Sequence, residues 1–206
     1  GFVTNVDING AGKSTFGLYA VADATKGHGA HNILATNVNS KGSTWAQAAA
    51  IGNNLTFNIL NGSYDGTGGN EGIDLSNGSK GTVTGATIKT GTVGEQGGIV
   101  FHGGHDYILT NNTITGSGFG STGIYDAGSL YGVPSASKIT ILGTNITNVS
   151  TGVSSVGGSD WTILGGTYNS FNSNGTGVYF ANMTGTNSIT GVTINGFNNG
   201  IYLYNS

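Results

Sequence analysis

Asp74, His102 and Tyr125 are the residues of this chain whose types could carry acid–base chemistry together. Each stands an odd number of residues after an apolar residue that itself follows glycine: Asp74 after Ile73, His102 after Ile99 and Tyr125 after Ile124. If those apolar residues stack in neighbouring strands, alternation turns all three polar side chains to one outer face, within roughly 5–10 Å of one another. An imidazole there can take a proton and a phenol can return one or assist a leaving group. The plainer alternative is that Asp74 and His102 solvate the outer face while the tyrosines pack along its rim.

Asp126 breaks the pattern. Its column, counted inward, otherwise holds Ala20, Ile51, Leu75, Phe101, Ser155, Phe180 and Leu203. An inward carboxyl is desolvated, which raises its pKa and suits a general acid. The simpler expectation is that a long loop begins early and turns Asp126 outward, with Ser155 in the next coil as its partner if it does not.

The elements that must position these residues follow from a repeat. Apolar pairs five apart recur as Val3/Ile8, Ile33/Val38, Leu55/Leu60, Val83/Ile88, Leu109/Ile114, Ile141/Ile146, Ile163/Tyr168 and Ile189/Ile194. A second ladder follows each pair: Leu18, Ala49, Ile73, Ile99, Ile124, Val153, Val178 and Ile201, usually after Gly. The period is about 27 residues, and short β-prone runs at such a period mean a solenoid of stacked coils. The expected fold is therefore all-β, a right-handed parallel β-helix of about eight coils forming a single domain over residues 1–206. Glycine before the second ladder is expected to supply a positive φ at a corner. The polar residues Asn37, Thr87, Thr113, Asn145, Thr167 and Thr193 are expected to stack as one column. Long intervals place protruding segments at residues 19–32 and 125–140, and Pro134 in a loop.

Composition narrows the partners. With 40 Gly and only 7% charged residues the chain could be disordered, but its 36% hydrophobic content is placed periodically and can be buried. The six basic residues are all lysines, scattered along a chain of net charge −3, so no nucleic acid is expected as partner. No apolar run reaches membrane-spanning length, so no membrane is expected either. The chain has no Cys, which removes disulfides and thiolate metal sites. Gly1 in place of Met and a strand at Gly200–Tyr204 with nothing after it suggest a fragment of a longer solenoid, met by further coils at both ends or assembled as a homotrimer.

The lines Asn111-Asn-Thr-Ile-Thr115 with Gly123-Ile-Tyr125, and Thr193-Ile-Asn195 with Gly200-Ile-Tyr-Leu203, resemble the right-handed parallel β-helices of the pectate-lyase superfold. The likeness is to the carbohydrate-binding and sugar-hydrolase repeat family that includes NosD-like proteins and mannuronan C5-epimerases. It covers nearly the whole chain. It implies an outer face on which uronate lyases and epimerases use a Tyr, a His and acids, here Tyr125, His102 and Asp74, with Asp126 as a further acid for the enzyme alternative. Neutralising a uronate carboxylate also takes a cation; no Arg occurs, and Lys80 and Lys89 are the neighbours available.

Two further sets of residues bear on ligands. Tyr19, Tyr125, Tyr179, Tyr202 and Tyr204, with Trp45 and Trp161, offer rings that pack on pyranose faces, or else pack against their own coils. Asp65 and Glu71 flank a Gly-rich bend that could hold Ca²⁺, although turn chemistry explains the bend. His102, His105 and Asp106, and His28 with His31, lack strong metal spacing. No cofactor and no metal is expected. The expected function is recognition of an extracellular polysaccharide by a module of a virion tail spike or fibre or of a cell-surface protein. The alternatives are a polysaccharide lyase, epimerase or glycoside hydrolase using the same face, and a structural stalk or adhesin spacer.

Overall fold

Apolar residues that return once per coil lie on top of one another in parallel strands, and the chain winds into a β-solenoid of about seven turns. The computed structural model describes residues 1–22, 30–128, 131–170 and 175–206. The first sheet stacks Phe2–Thr4, His31–Thr36, Leu55–Leu60, Lys80–Thr84, His105–Thr110, Ser137–Leu142, Thr162–Leu164 and Ser188–Thr190. Those eight strands are joined by seven steps, which is why the turn count is about seven and not eight. The second sheet carries the rest of each coil. Asp7–Val21, Asn39–Ile51, Thr113–Asp126 and Asn145–Val156 run through it as single long strands. Elsewhere the chain crosses it in two pieces, as in Ser63–Asp65 then Glu71–Ser76, and Thr87–Lys89 then Gly97–His102.

The first ladder holds in five later coils: Val83, Leu109, Ile141, Ile163 and Ile189 pair in register. In the second and third coils it needs correction. Val3 stacks on Ala35, then Ile59, and Ile8 stacks on Ser40, then Tyr64. The spacing of five survives as Ala35/Ser40 and Ile59/Tyr64, whereas Ile33/Val38 and Leu55/Leu60 lie out of register. Likewise Leu18 pairs with Ala48, and Ala48 with Ile73, so Ala49, not Ala50, shares the column of Asp74. Three consecutive alanines hide a one-residue slip, because each of them fits an interior position equally well.

The glycines before the second ladder do not turn a corner with positive φ. A Cβ on Gly98 would lie 2.5 Å from the carbonyl oxygen of Gly123 and 2.7 Å from Cγ2 of Ile114. On Gly123 it would meet Cγ2 of Ile146 at 2.5 Å and the oxygen of Gly152 at 2.7 Å. These glycines face inward where one coil presses on the next, and hydrogen is the only side chain that fits. Positive φ is instead used where the first sheet ends. Asn5, Asn37, Asn61 and Asn111 adopt φ of 54°, 51°, 59° and 51°, a conformation that Asn tolerates better than most residues. Asn37 thus belongs to this turn, where its Nδ2 donates to Oδ1 of Asn5 at 3.2 Å. The polar column at the start of the second sheet is Asp7, Asn39, Ser63, Thr87, Thr113 and Asn145, and Asn39 Nδ2 donates to Asp7 Oδ1 at 2.9 Å.

Between the sheets the core is continuous. Ile73, Ile99, Ile124, Val153 and Val178 are fully buried, each side chain stabilising the fold by about 1.5–3 kcal/mol through removal from water. Trp161 is also core, with its Nε1 donating to the carbonyl of Ala136 at 3.1 Å and its ring edge-on to Phe101 and Phe180. It is therefore no surface platform for a sugar.

Candidate functional site

The strands Glu71–Ser76 and Gly97–His102 lie side by side, with Val100 beside Asp74 and His102 beside Ser76. Outward alternation then brings Asp74 and His102 together. Asp74 Oδ1 lies 3.0 Å from Nδ1 of His102 and also accepts a hydrogen bond from the Ser76 hydroxyl. Tyr125 continues the same column one coil on, paired with Val100.

Two acids join them that the sequence pattern did not place. Strict alternation back from Ile73 would put Glu71 in the core. Because Gly72 also faces inward, towards Cγ2 of Ile88, the alternation slips by one residue and Glu71 returns to the outer face. Its Oε1 lies 4.0 Å from Nε2 of His102. Glu95 arrives from the segment between Lys89 and Gly97, a stretch without ladder residues, and its carboxylate lies 3.4 Å from the same nitrogen. The loop after Asp126 folds back over this group, so that the Tyr131 ring stands edge-on to His102 with centroids 5.0 Å apart. Of the two expected protruding segments, this one is seen against the site; residues 23–29 of the other, with Lys26 and His28, lie outside the described residues.

The electrostatics follow from burial and crowding. Burial, then the nearby charges of Asp74 and Glu95, hold the Glu71 carboxyl well above the usual range. Burial also pushes Glu95 upward, but hydrogen bonds from His102 and Tyr131 outweigh it and leave Glu95 below its ordinary value. Two carboxyls side by side are thus driven apart, and a proton on Glu71 can be donated to Glu95. For His102 burial disfavours the cation, yet the contacts with Asp74 and Glu95 prevail and raise it to about 10. Tyr131, hydrogen-bonded to Glu95, is pushed up to about 12. Burial raises Tyr125 as well, with the charges of Glu95 and Asp126 adding to it.

Asp126 points inward; it does not turn out with the loop. It pairs with Phe101, is 1% exposed, and accepts hydrogen bonds from Ser155 Oγ at 2.7 Å, Ala136 N at 3.1 Å and Gly128 N at 3.2 Å. Burial raises its pKa while these three donors oppose the rise. The carboxyl closes the neck of the loop.

Other expected residues fall elsewhere. Lys80 heads a strand of the first sheet, whereas Asp74 and His102 belong to the second. Lys89 pairs with Asp65 at 2.8 Å, so Asp65 and Glu71 serve different neighbours and not one Ca²⁺ loop. His105 contacts Asp106 at 2.8 Å on the first sheet. Tyr179 and Tyr202 stack with centroids 5.6 Å apart near the last coils, and Tyr19 stacks on Phe16 at 4.6 Å.

Beside the acid–histidine group opens a cleft of about 330 Å³ lined by Phe16, Trp45, Asp74, Asn77, His102 and Tyr131, among others. Phe16, Trp45 and Tyr131 supply rings, and Asp74, Ser76, Asn77 and His102 supply donors and acceptors. The chain is thus a parallel β-solenoid with a cleft of aromatic and polar side chains on its second sheet. Comparison with family models, with curated proteins and with solved structures finds no match to this chain.

Proposed function

We propose that this protein recognises a polysaccharide outside the cell, as part of a virion fibre or a cell surface, and lays the chain against the second sheet at the cleft beside His102. The observation that carries this reading is the convergence of Phe16, Trp45 and Tyr131 with Asp74, Asn77 and His102 in one opening. Aromatic rings pack on the apolar faces of sugars while carboxylate, amide and imidazole groups bond the hydroxyls, which is the composition a small polar ligand with apolar faces requires. The stacked pair Tyr179 and Tyr202 lies apart from this cleft, near the last coils. Kinship with the right-handed β-helices of the pectate-lyase superfold belongs to the same proposal, and its support is the repeat lines quoted from the sequence. Affinity electrophoresis through a panel of neutral and uronate-containing polysaccharides tests it. At least one polymer should retard the protein, and Trp45→Ala or Tyr131→Ala should abolish the retardation; a panel without retardation overturns the reading.

Cleavage of the bound chain is a second reading, favoured by the Asp74–His102 pair at the cleft wall. Asp126, held inward by three donors, is not placed to protonate a glycosidic oxygen there. New reducing ends or unsaturated product that vanish in His102→Ala would support cleavage, and their absence leaves recognition alone.

A further inference from the structure

We propose that Nε2 of His102 and the carboxylates of Glu71 and Glu95 bind one divalent transition-metal ion, with Zn²⁺ the best fit, and that Asp74 positions the imidazole. This goes beyond glycan recognition and does not depend on it.

The first observation is Glu71. Its side chain is 0% exposed, and with the carboxyl ionised neither oxygen has a hydrogen-bond donor. A buried carboxylate without a donor is costly unless a cation or a proton meets it. The second is the orientation of His102. Asp74 holds Nδ1 at 3.0 Å, which leaves Nε2 directed at Glu71 and Glu95. Histidine ligands of metals are commonly held in this way, the distal nitrogen bonded to a carboxylate that fixes the tautomer.

The third is distance. Nε2 lies 3.4 Å from Glu95 and 4.0 Å from Glu71, and the three ligand atoms fall within 4.8 Å of one another. Nitrogen and oxygen ligands about 2.0–2.1 Å from a tetrahedral Zn²⁺ stand roughly 3.3 Å apart, so small rotations of two flexible Glu side chains close the set. One imidazole with two carboxylates suits Zn²⁺ or Mn²⁺ better than Ca²⁺, which takes an all-oxygen shell. Three protein ligands leave a position for water or a ligand oxygen.

The test uses the intact chain, stripped with a chelator and titrated calorimetrically with Zn²⁺, Mn²⁺ and Ca²⁺. One Zn²⁺ per chain is expected, bound at least tenfold more tightly than Ca²⁺. Glu71→Gln and His102→Ala should each weaken it at least tenfold, Asp74→Asn by about 10–100-fold, and His105→Ala not at all. Melting curves of the metal-free variants establish that each is folded. X-ray absorption of the wild-type zinc complex, which needs no variant, should show a single imidazole among nitrogen and oxygen ligands. No stoichiometric Zn²⁺ binding, unchanged affinity in Glu71→Gln and His102→Ala, or a spectrum without imidazole overturns the proposal. In that case a proton shared by Glu71 and Glu95 occupies the place of the metal. Polysaccharide retardation of the metal-free protein is scored separately, so either result leaves the cleft reading to its own test.

Discussion

Oδ1 of Asp74 and Nδ1 of His102 meet at 3.0 Å across two adjacent coils, 28 residues apart in the chain. One repeat of the solenoid thus converts a sequence separation into a hydrogen bond, and the strength of that bond sets the charge of the imidazole. In the metal-free protein His102 should remain protonated through neutral pH, with an apparent pKa of about 10. Asp74→Asn should lower it by about a unit or more. Two-dimensional NMR of the imidazole resonances during a pH titration measures both.

The same shift predicts a slope of stability. A His whose folded pKa is raised contributes stability that is fully present below its unfolded value near 6.5 and is lost as pH rises through about 10. Glu71, also raised, acts with the same sign from the carboxylate range upward. Urea denaturation of the metal-free protein between pH 7 and pH 10 should show falling stability, with a smaller fall in His102→Gln.

Close packing between coils is tested by two glycines of the same column. Gly123→Ala places a methyl 2.5 Å from Ile146 Cγ2 and 2.7 Å from a backbone oxygen, and should cost about 1–3 kcal/mol. A Cβ on Gly200, in the last coil, meets nothing within 4 Å, and Gly200→Ala should change stability by no more than about 0.5 kcal/mol. Equilibrium unfolding of the two variants compares them directly.

Asp126 serves the loop that covers the site. Asp126→Ala strands the N–H groups of Gly128 and Ala136 and the Ser155 hydroxyl, and should destabilise by about 1–3 kcal/mol. Hydrogen exchange should quicken at Gly128 and Ala136 in the variant, while the first-sheet strands far from the loop keep their protection.

These relationships were unequally legible in the chain. The repeat, the parallel stacking and the outward pairing of Asp74 with His102 follow from Ile73, Ile99 and Ile124, large β-branched residues that occupy one kind of position only. Where small or aromatic residues fill the column, as Ala35, Ser40 and Tyr64 do, hydrophobicity ceases to mark register and nearby Ile33 or Leu60 competes for it. Glu71 was hidden by the inward Gly72, which breaks alternation for a steric reason that involves the neighbouring coil. Glu95 comes from a segment with no ladder residue, so spacing carries no information about where its side chain ends. The column of Asp126 pointed inward, but the long interval after it argued for an outward turn, because the three donors that make the inward position tolerable come from a loop and a neighbouring coil.

The chain has two tryptophans, one in the cleft and one in the core, and they provide the most direct test of polysaccharide recognition. In a titration of the ¹⁵N-labelled protein with oligosaccharides from a retarding polymer, the indole N–H resonance of Trp45 should move progressively and saturate. That of Trp161, bonded to Ala136 beneath the sheet, should stay in place. An oligosaccharide that binds while the Trp45 resonance stays fixed would contradict the assignment of the cleft.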